Sequence, residues 1–300
     1  MSFVGPVRLK LPATSANLGP GFDALGLAMG LYLTIDASAA EAFVIDASGR
    51  DAALCGRVEK NLILDTYASV LTRQGRVAGA LHLRLENEIP LGMGCGSSAA
   101  ALLAGVLLAN HFGQLGWSGQ QVLEEACRRE GHPDNVAACW LGGMTASADV
   151  DGSIITATCG ENLNWRIMVA LPSESLATEK ARALLPDSYS RADAVANVQS
   201  SSLLVAAFSL GRPELLKTAM RDRIHQPYRM NACPLLPRLL PLVDQSGVWG
   251  VSLSGAGPSV MLITDPAVQA VKVIDKVREA AGDASIEVLQ TCISRGAKYL

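Results

Sequence analysis

The chain has 300 residues, a net charge of −3, 49% hydrophobic residues and 18% charged ones. That balance fits a globular protein of one large domain or two lobes, and its mild acidity argues against a nucleic-acid surface. Seven cysteines stand singly with no CxxC, as in a reduced cytoplasmic protein. The N-terminus has Arg8 and Lys10 but no apolar signal core, and the apolar run 99–109 falls well short of the roughly 20 residues of a membrane span.

Residues 7–11 predict an opening strand. Pro12-Ala13-Thr14-Ser15-Ala16-Asn17-Leu18-Gly19-Pro20-Gly21-Phe22-Asp23 is rich in turn formers and reads as a loop ahead of the apolar run 24–33. Asn17 and Asp23 could present an amide and a carboxylate to a polar ligand, or simply close an Asx turn. Residues 35–47 alternate like a strand, and Lys60-Asn61-Leu62-Ile63 opens a helix running to Gln74, with Asn61 as a cap. Leu81, Leu83 and Leu85 alternate with His82, Arg84 and Glu86, the period of a half-buried strand.

Pro90-Leu91-Gly92-Met93-Gly94-Cys95-Gly96-Ser97-Ser98-Ala99-Ala100 joins that strand to a buried helix over 99–112, with Ser97 or Ser98 expected as its N-cap. Glycine lets the backbone approach a ligand closely, and the first N–H groups of a helix lack internal partners while the macrodipole favours negative charge. Strand, glycine loop and helix start therefore predict a phosphate site. It is neither a Walker loop, having no lysine, nor a dinucleotide loop, since its third glycine comes one position early.

Residues 124–130 form a charged helix face, interrupted by Gly131-His132-Pro133-Asp134-Asn135. The proline marks a new helix start, and Gly142-Gly143 ends that helix. Glu130 and Asp134 place two carboxylates near the glycine loop, which suits magnesium binding and the handling of an acceptor hydroxyl. The plainer alternative is a capping Asp134 and an exposed Glu130. His132 reads as a hydrogen-bonded packing residue. Past residue 150 the pattern resets to a strand at 165–171, a helix from Thr178 through Arg182, helices at 195–210 and 213–221, and strands at 248–253 and 259–263. Ser254-Gly255-Ala256-Gly257-Pro258 joins the last two as a hairpin turn. A helix at 268–281 and a strand at 286–292 follow. Arg182 and Arg229, taken singly, read as solvated charges. Strands and helices mix throughout, which predicts an α+β protein in two lobes, 1–160 and 161–300.

Together these segments resemble the GHMP small-molecule kinases, and most closely the homoserine kinase family. The carriers are the segments 12–23 and 90–100 and Ser252-Leu253-Ser254-Gly255-Ala256-Gly257-Pro258-Ser259, in the family's order, with Gly131-His132-Pro133-Asp134-Asn135-Val136 between the last two. The resemblance implies a two-lobed GHMP kinase fold with an N-terminal nucleotide-binding lobe and a ferredoxin-like C-terminal lobe. It implies phosphoryl transfer from ATP to the side-chain hydroxyl of L-homoserine, a step toward threonine, in a cytoplasmic homodimer without nucleic-acid or membrane partners.

The site follows from the same resemblance. Pro90, Leu91, Gly92, Met93, Gly94, Cys95, Gly96, Ser97 and Ser98 would wrap the triphosphate of ATP, with Asn61 near the adenine. Magnesium would sit on Ser98 and Glu130, with Glu124 and Glu125 as alternatives to the glutamate. Asn17, Asp23, Asp134, Thr178, Arg182 and Arg229 match homoserine-contacting positions. The arginines suit a carboxylate, Asn17 and Asp23 an ammonium, and Asp134 the hydroxyl. Asp134 and Asn135 are the implied catalytic pair. Phosphoryl transfer through a loose transition state depends on alignment and charge neutralisation, so Asp134 is expected to orient the hydroxyl and to be at most a weak base. Met93 and Cys95 depart from the small or leucine residues many members carry there, and a thiol nucleophile at Cys95 has no recognisable partner base. Other readings are a kinase for a mevalonate- or shikimate-like acceptor, a non-catalytic sensor, and a serine hydrolase. The last rests on Gly250-Val251-Ser252-Leu253-Ser254, which ends in serine and lacks the strand–turn–helix context.

Overall fold

The computed structural model describes residues 4–174 and 178–300, with Thr178 and Glu179 described by their backbone alone. The chain opens with β1 (Val7–Asn17) and β2 (Gly21–Ala39), two long antiparallel strands. The expected loop over 12–23 is thus corrected to a hairpin whose turn is only Leu18-Gly19-Pro20. Register shifts at Pro12/Ala13 and Ala16/Asn17 admit these turn formers into a ladder that would otherwise reject them. The hairpin is strained, because Asn17, Leu18 and Asp23 all take left-handed φ of 69°, 50° and 56°.

β3 (Val44–Gly49), α1 (Ala52–Cys55), α2 (Leu62–Arg73) and β4 (Leu81–Asn87) follow, so the expected strand over 35–47 is really two, the end of β2 and the start of β3. Asn61 caps α2 as anticipated, its side chain accepting from the Ile63 and Leu64 amides. α3 (Ser97–Phe112), α4 (Gly119–Glu130), α5 (Asp134–Leu141), β5 (Met144–Val150) and β6 (Ser153–Cys159) complete this half; the β5–β6 hairpin carried no signal in the sequence reading. Ten of the sixteen residues of α3 are buried, as expected for a helix that is apolar all round.

The second half runs through β7 (Arg166–Leu171), α6 (Thr178–Arg182), α7 (Arg191–Leu210), α8 (Leu216–Ala219), α9 (Gln226–Arg229), α10 (Leu235–Leu239), β8 (Val248–Leu253), β9 (Val260–Thr264), α11 (Ala270–Ala281), β10 (Glu287–Cys292) and β11 (Lys298–Tyr299). β7 to β10 form an antiparallel sheet in the order β10-β7-β9-β8, the ferredoxin-like arrangement. Alternation in β7 and β9 serves two cores: Ile167, Val169, Met261 and Ile263 face the cluster shared with the first sheet, while Met168, Ala170, Val260 and Leu262 pack under α10 and α11. The first sheet has the order β11-β1-β2-β4-β3, with β5 and β6 added on β2, so the last strand returns to the first. No helix among the described residues is long and apolar enough to cross a membrane.

Candidate active site

The glycine loop leaves β4 and enters α3 through three left-handed glycines, Gly92, Gly94 and Gly96. Gly96 is itself the N-cap, and no side chain caps the helix. The expectation that Ser97 or Ser98 fills that position is therefore corrected. Both serines lie in the first helical turn, and the free amide groups of that turn stay available to an anion. At Gly96 no other residue fits: φ is 70°, and a Cβ would overlap the Thr14 hydroxyl. The loop is tied to the other two motifs. The Thr14 amide donates to the Cys95 carbonyl (3.0 Å), the Gly255 amide to the Ala16 carbonyl (3.2 Å), and the Ser254 hydroxyl to the Gly94 carbonyl (2.7 Å). The 254–258 turn, expected as a plain hairpin connection, is thus part of the loop's support.

Gly92, Gly94, Gly96, Ser97 and Ser98 line a cavity of about 190 Å³, together with Asn17, Asp23, Glu130, His132, Asp134, Asn135, Arg182 and Arg229. Pro90, Met93 and Cys95 do not line it. Cys95 is 1% exposed, and burial pushes its thiol up to about 12, which removes the thiol-nucleophile alternative. A second, largely apolar cavity of about 600 Å³ opens on the far side of the same serines, lined by Leu33, Cys55, Ile63, Leu85 and Ala101. Leu91 and Asn61 also border it, although the Asn61 amide is already spent on the α2 cap and on the Cys55 and Arg57 carbonyls.

Of the three candidate glutamates, Glu130 meets the loop, accepting from the Ser98 hydroxyl at 3.1 Å. Glu124 is taken by Gln120 and Ser153, and Glu125 by Arg73, Arg128 and Arg129. Burial raises the Glu130 carboxyl above the usual range, the Ser98 hydrogen bond working against it. A hydroxyl and a carboxylate in contact are the hard oxygen donors that a small divalent cation takes.

Asp134 opens α5 and is 1% exposed. One of its oxygens accepts from the Asn135 amide (2.7 Å) and pairs with His132 Nδ1 (2.6 Å). Burial would lower His132, but its hydrogen bond to Asp134, with the charges of Asp134, Glu130 and Asp23, raises it above its ordinary value. His132 is therefore a cavity residue, where sequence reasoning made it a packing one. Asn135 accepts from the Thr14 hydroxyl at 2.7 Å, tying α5 to β1.

The hairpin turn carries the opposite wall into the second half of the chain. The Asn17 amide donates to the Gly255 carbonyl (2.9 Å), and its oxygen accepts from the Asp23 amide (3.0 Å). Asp23 forms a two-pronged ion pair with Arg182 of α6, at 2.8 and 2.9 Å. The Arg182 guanidinium sits 5.4 Å from the centre of the Phe22 ring and the Arg229 guanidinium 5.6 Å, so one aromatic ring serves both cations. Arg229 is no solvated charge. It is 1% exposed, and its hydrogen bonds go to two uncharged acceptors, the Ala181 carbonyl and His225 Nδ1. Burial and the nearby Arg182 lower its pKa. The Thr178 side chain lies outside the described residues.

Sequence reasoning missed Thr14, Phe22 and His225, and underweighted His132. His132 carried a local signal, two residues before Asp134 at a helix start, and His225 stands four residues before Arg229; the contacts of Thr14 with Asn135, of Phe22 with the two arginines and of His225 with Gly19 join residues more than a hundred positions apart.

An anion-ready helix start, a carboxylate beside it and a small cavity with both charge signs on its walls make up the layout of a small-molecule phosphotransferase. Profiles described as "GHMP kinases N terminal domain" and "GHMP kinases C terminal" match residues 61–143 and 204–283. The chain is 45% identical over 281 residues to the homoserine kinase of Solibacter usitatus, covering 93% of this chain and 92% of that protein. It is 41% identical over 257 residues to the homoserine kinase of Desulfitobacterium hafniense, covering 86% of each. The solved homoserine kinase from Cytophaga hutchinsonii superposes with a TM-score of 0.82 at 26% identity, over 100% of this chain and 99% of that one. The L. major mevalonate kinase shares the fold, with a TM-score of 0.73 at 14% identity over 95% of each chain. The chain belongs to the GHMP kinases and, within them, to the homoserine kinase family.

Proposed function

We propose that the chain transfers the γ-phosphoryl group of ATP to the side-chain hydroxyl of L-homoserine, in the service of threonine synthesis. The observation that carries this reading is one cavity in which the open start of α3 faces a pocket lined by Asp23, Asp134, Arg182 and Arg229. The amide groups after Gly96 would hold phosphate oxygens, and the apolar cavity beyond Ser97 and Ser98 suits the adenine. Ser98 and Glu130 fit magnesium, which when bound would neutralise charge on the phosphates.

The amino acid enters by exchange of ion pairs. Arg182 and Asp23 are each a third to a half exposed, and a pair of that kind stabilises by at most about 1 kcal/mol. A zwitterion that gives its ammonium to Asp23 and its carboxylate to Arg182 and Arg229 replaces one such pair with charge-assisted bonds at both ends. A ligand with one charge alone would strand a partner. Asp134 then receives the hydroxyl on its remaining oxygen. A carboxylate with one oxygen already bonded to an amide and to His132 is held in one orientation, so it aligns the nucleophile, with positioning and phosphate neutralisation lowering the barrier. Asn135, held by Thr14, belongs to the same wall.

The division into lobes 1–160 and 161–300 is proposed on the two sheets. A homodimer and cytoplasmic residence rest on the family resemblance; light scattering tests the first. The deciding experiment measures ADP release with magnesium and ATP on L-homoserine, D-homoserine, L-threonine, L-serine, mevalonate and shikimate. Selective turnover of L-homoserine is expected, and it should collapse in Arg229→Ala. Turnover of mevalonate or shikimate instead would overturn the substrate. ATP binding without any turnover would favour a sensor.

A further inference from the structure

His225 lies at the start of α9, with no exposed surface, and touches both halves of the amino-acid pocket. Its Nδ1 stands 2.9 Å from the Arg229 guanidinium and its Nε2 2.8 Å from the Gly19 carbonyl. A guanidinium can only donate and a carbonyl can only accept. Nδ1 must therefore be bare and Nε2 must carry the proton, which makes this imidazole neutral and of one tautomer. The Asp222 carboxylate does not compete for it. Its oxygens accept from the amides of Ile224 (2.8 Å), His225 (3.0 Å) and Gln226 (2.6 Å), and its nearest approach to Nε2 is 3.6 Å.

The two hydrogen bonds join what the cavity needs joined. Gly19 is the centre of the hairpin turn that leads to Phe22 and Asp23, and that turn is already seated in the second half of the chain. A Cβ at Gly19 would overlap the Met220 carbonyl, and the buried Asn197 side chain donates to the Pro20 carbonyl at 2.7 Å. On the other side, Arg229 is fixed along two edges, by the Ala181 carbonyl on Nε and by His225 on one terminal nitrogen. The rest of the fork is left to the cavity that Arg229 lines. The Phe22 ring closes the arrangement, 5.5 Å from the His225 ring and 5.6 Å from the guanidinium.

We infer that His225, as the neutral Nε2–H tautomer, is a positioning residue that aims Arg229 at the carboxylate of the amino-acid substrate while holding the turn that carries Asp23. Without the Nδ1 acceptor, a buried guanidinium loses one of its two fixed edges, and the fork turns away from the angle that a two-pronged carboxylate contact requires. The inference rests on the reading of Arg229 as the carboxylate anchor, and the experiment separates the two.

Asparagine places an oxygen where Nδ1 was, and glutamine places an amide where Nε2 was. His225→Asn therefore keeps the acceptor for Arg229, and His225→Gln keeps only the donor to Gly19. The measurement is kcat and KM for L-homoserine and for L-homoserinamide, which has no carboxylate. In His225→Gln, KM for L-homoserine should rise by about 10- to 100-fold, the worth of a hydrogen bond to a charged group, with kcat nearly kept and the amide substrate within about twofold of wild type. His225→Asn should stay within a few fold on both substrates. Equal losses in the two variants, or equal losses on the two substrates, would overturn the positioning role. If Arg229→Ala itself fails to discriminate acid from amide, the anchor reading falls instead. A check that needs no variant is the tautomer of His225 in the ¹⁵N-histidine-labelled wild-type chain near neutral pH. An Nε2–H signature is expected, and an imidazolium or an Nδ1–H form would sink the inference.

Discussion

The two ends of the cavity are built by different means. At the end proposed for phosphate the groups on offer are backbone amides, delivered by one continuous stretch from Gly92 to Ser98, and the geometry is set by left-handed glycines and a helix start. At the end proposed for the amino acid the groups are side chains from β1, β2, α5, α6 and α9, held by contacts such as Asp23–Arg182 and Asn17–Gly255 that join residues 159 and 238 positions apart. An anion site of the first kind depends on chain path and tolerates most changes of side chain. A pocket of the second kind depends on individual charged groups and fails one group at a time.

The largest expected effect is at Arg229. Arg229→Ala should lower kcat/KM for L-homoserine on the order of 10²–10³, nearly all of it in the homoserine KM, because a buried cation is lost from a charge contact. An equal rise in the ATP KM would show that the two ends are not independent. The mirror test is Gly96→Ala. A left-handed alanine costs about 1–2 kcal/mol and must also displace the Thr14 hydroxyl, so the α3 start should shift and kcat/KM for ATP should fall by about 10²-fold. Binding of L-homoserine, followed by calorimetry without nucleotide, should barely change. Asp134→Asn sits between the ends and should cost less than about 10² in kcat; a loss of 10³ or more would make Asp134 a true general base.

The smallest effect is on stability. His225 is held below its ordinary pKa, first by burial and then by Arg229, with Asp222 and Asp23 opposing. The folded imidazole stays neutral while the unfolded chain takes up a proton near pH 6.5, so this contribution is present above that pH and is lost as the pH falls below it. Between pH 7.5 and 5.5 the wild-type Tm should fall more than that of His225→Asn, by about 2 °C for each kcal/mol involved. Parallel curves would mean that His225 titrates alike in both states.

The same contrast explains what could be read in the sequence. The glycine loop, the Asn61 cap and the strand at 81–87 each follow from a dozen neighbouring residues, and they stand where local chemistry puts them. The N-cap expected at Ser97 or Ser98 lies one or two positions earlier because the left-handed Gly96 enters the helix sooner than a hydroxyl cap would. The 12–23 segment looked like a loop because its turn formers are placed in a ladder by register shifts, which composition does not reveal. Arg229 looked like any surface arginine until α9 was seen folded against Phe22 and Ala181, and His225 offered only its spacing of four residues from Arg229, since its other partner, Gly19, is set by the tertiary fold. The homoserine kinase resemblance pointed to Arg229 by position, while its burial and its support came only from the folded chain.

The left-handed backbone at Asp23 bears on how this protein can change. Asp23 holds a conformation that glycine would adopt with less strain, and its partly exposed pair with Arg182 stabilises little, so a selection for heat resistance alone would favour Asp23→Gly. That replacement would remove a group proposed to face the amino acid. Screens that score survival on heating should therefore enrich variants that are firmer and inactive, and the hairpin is a place where stability and turnover are selected in opposite directions.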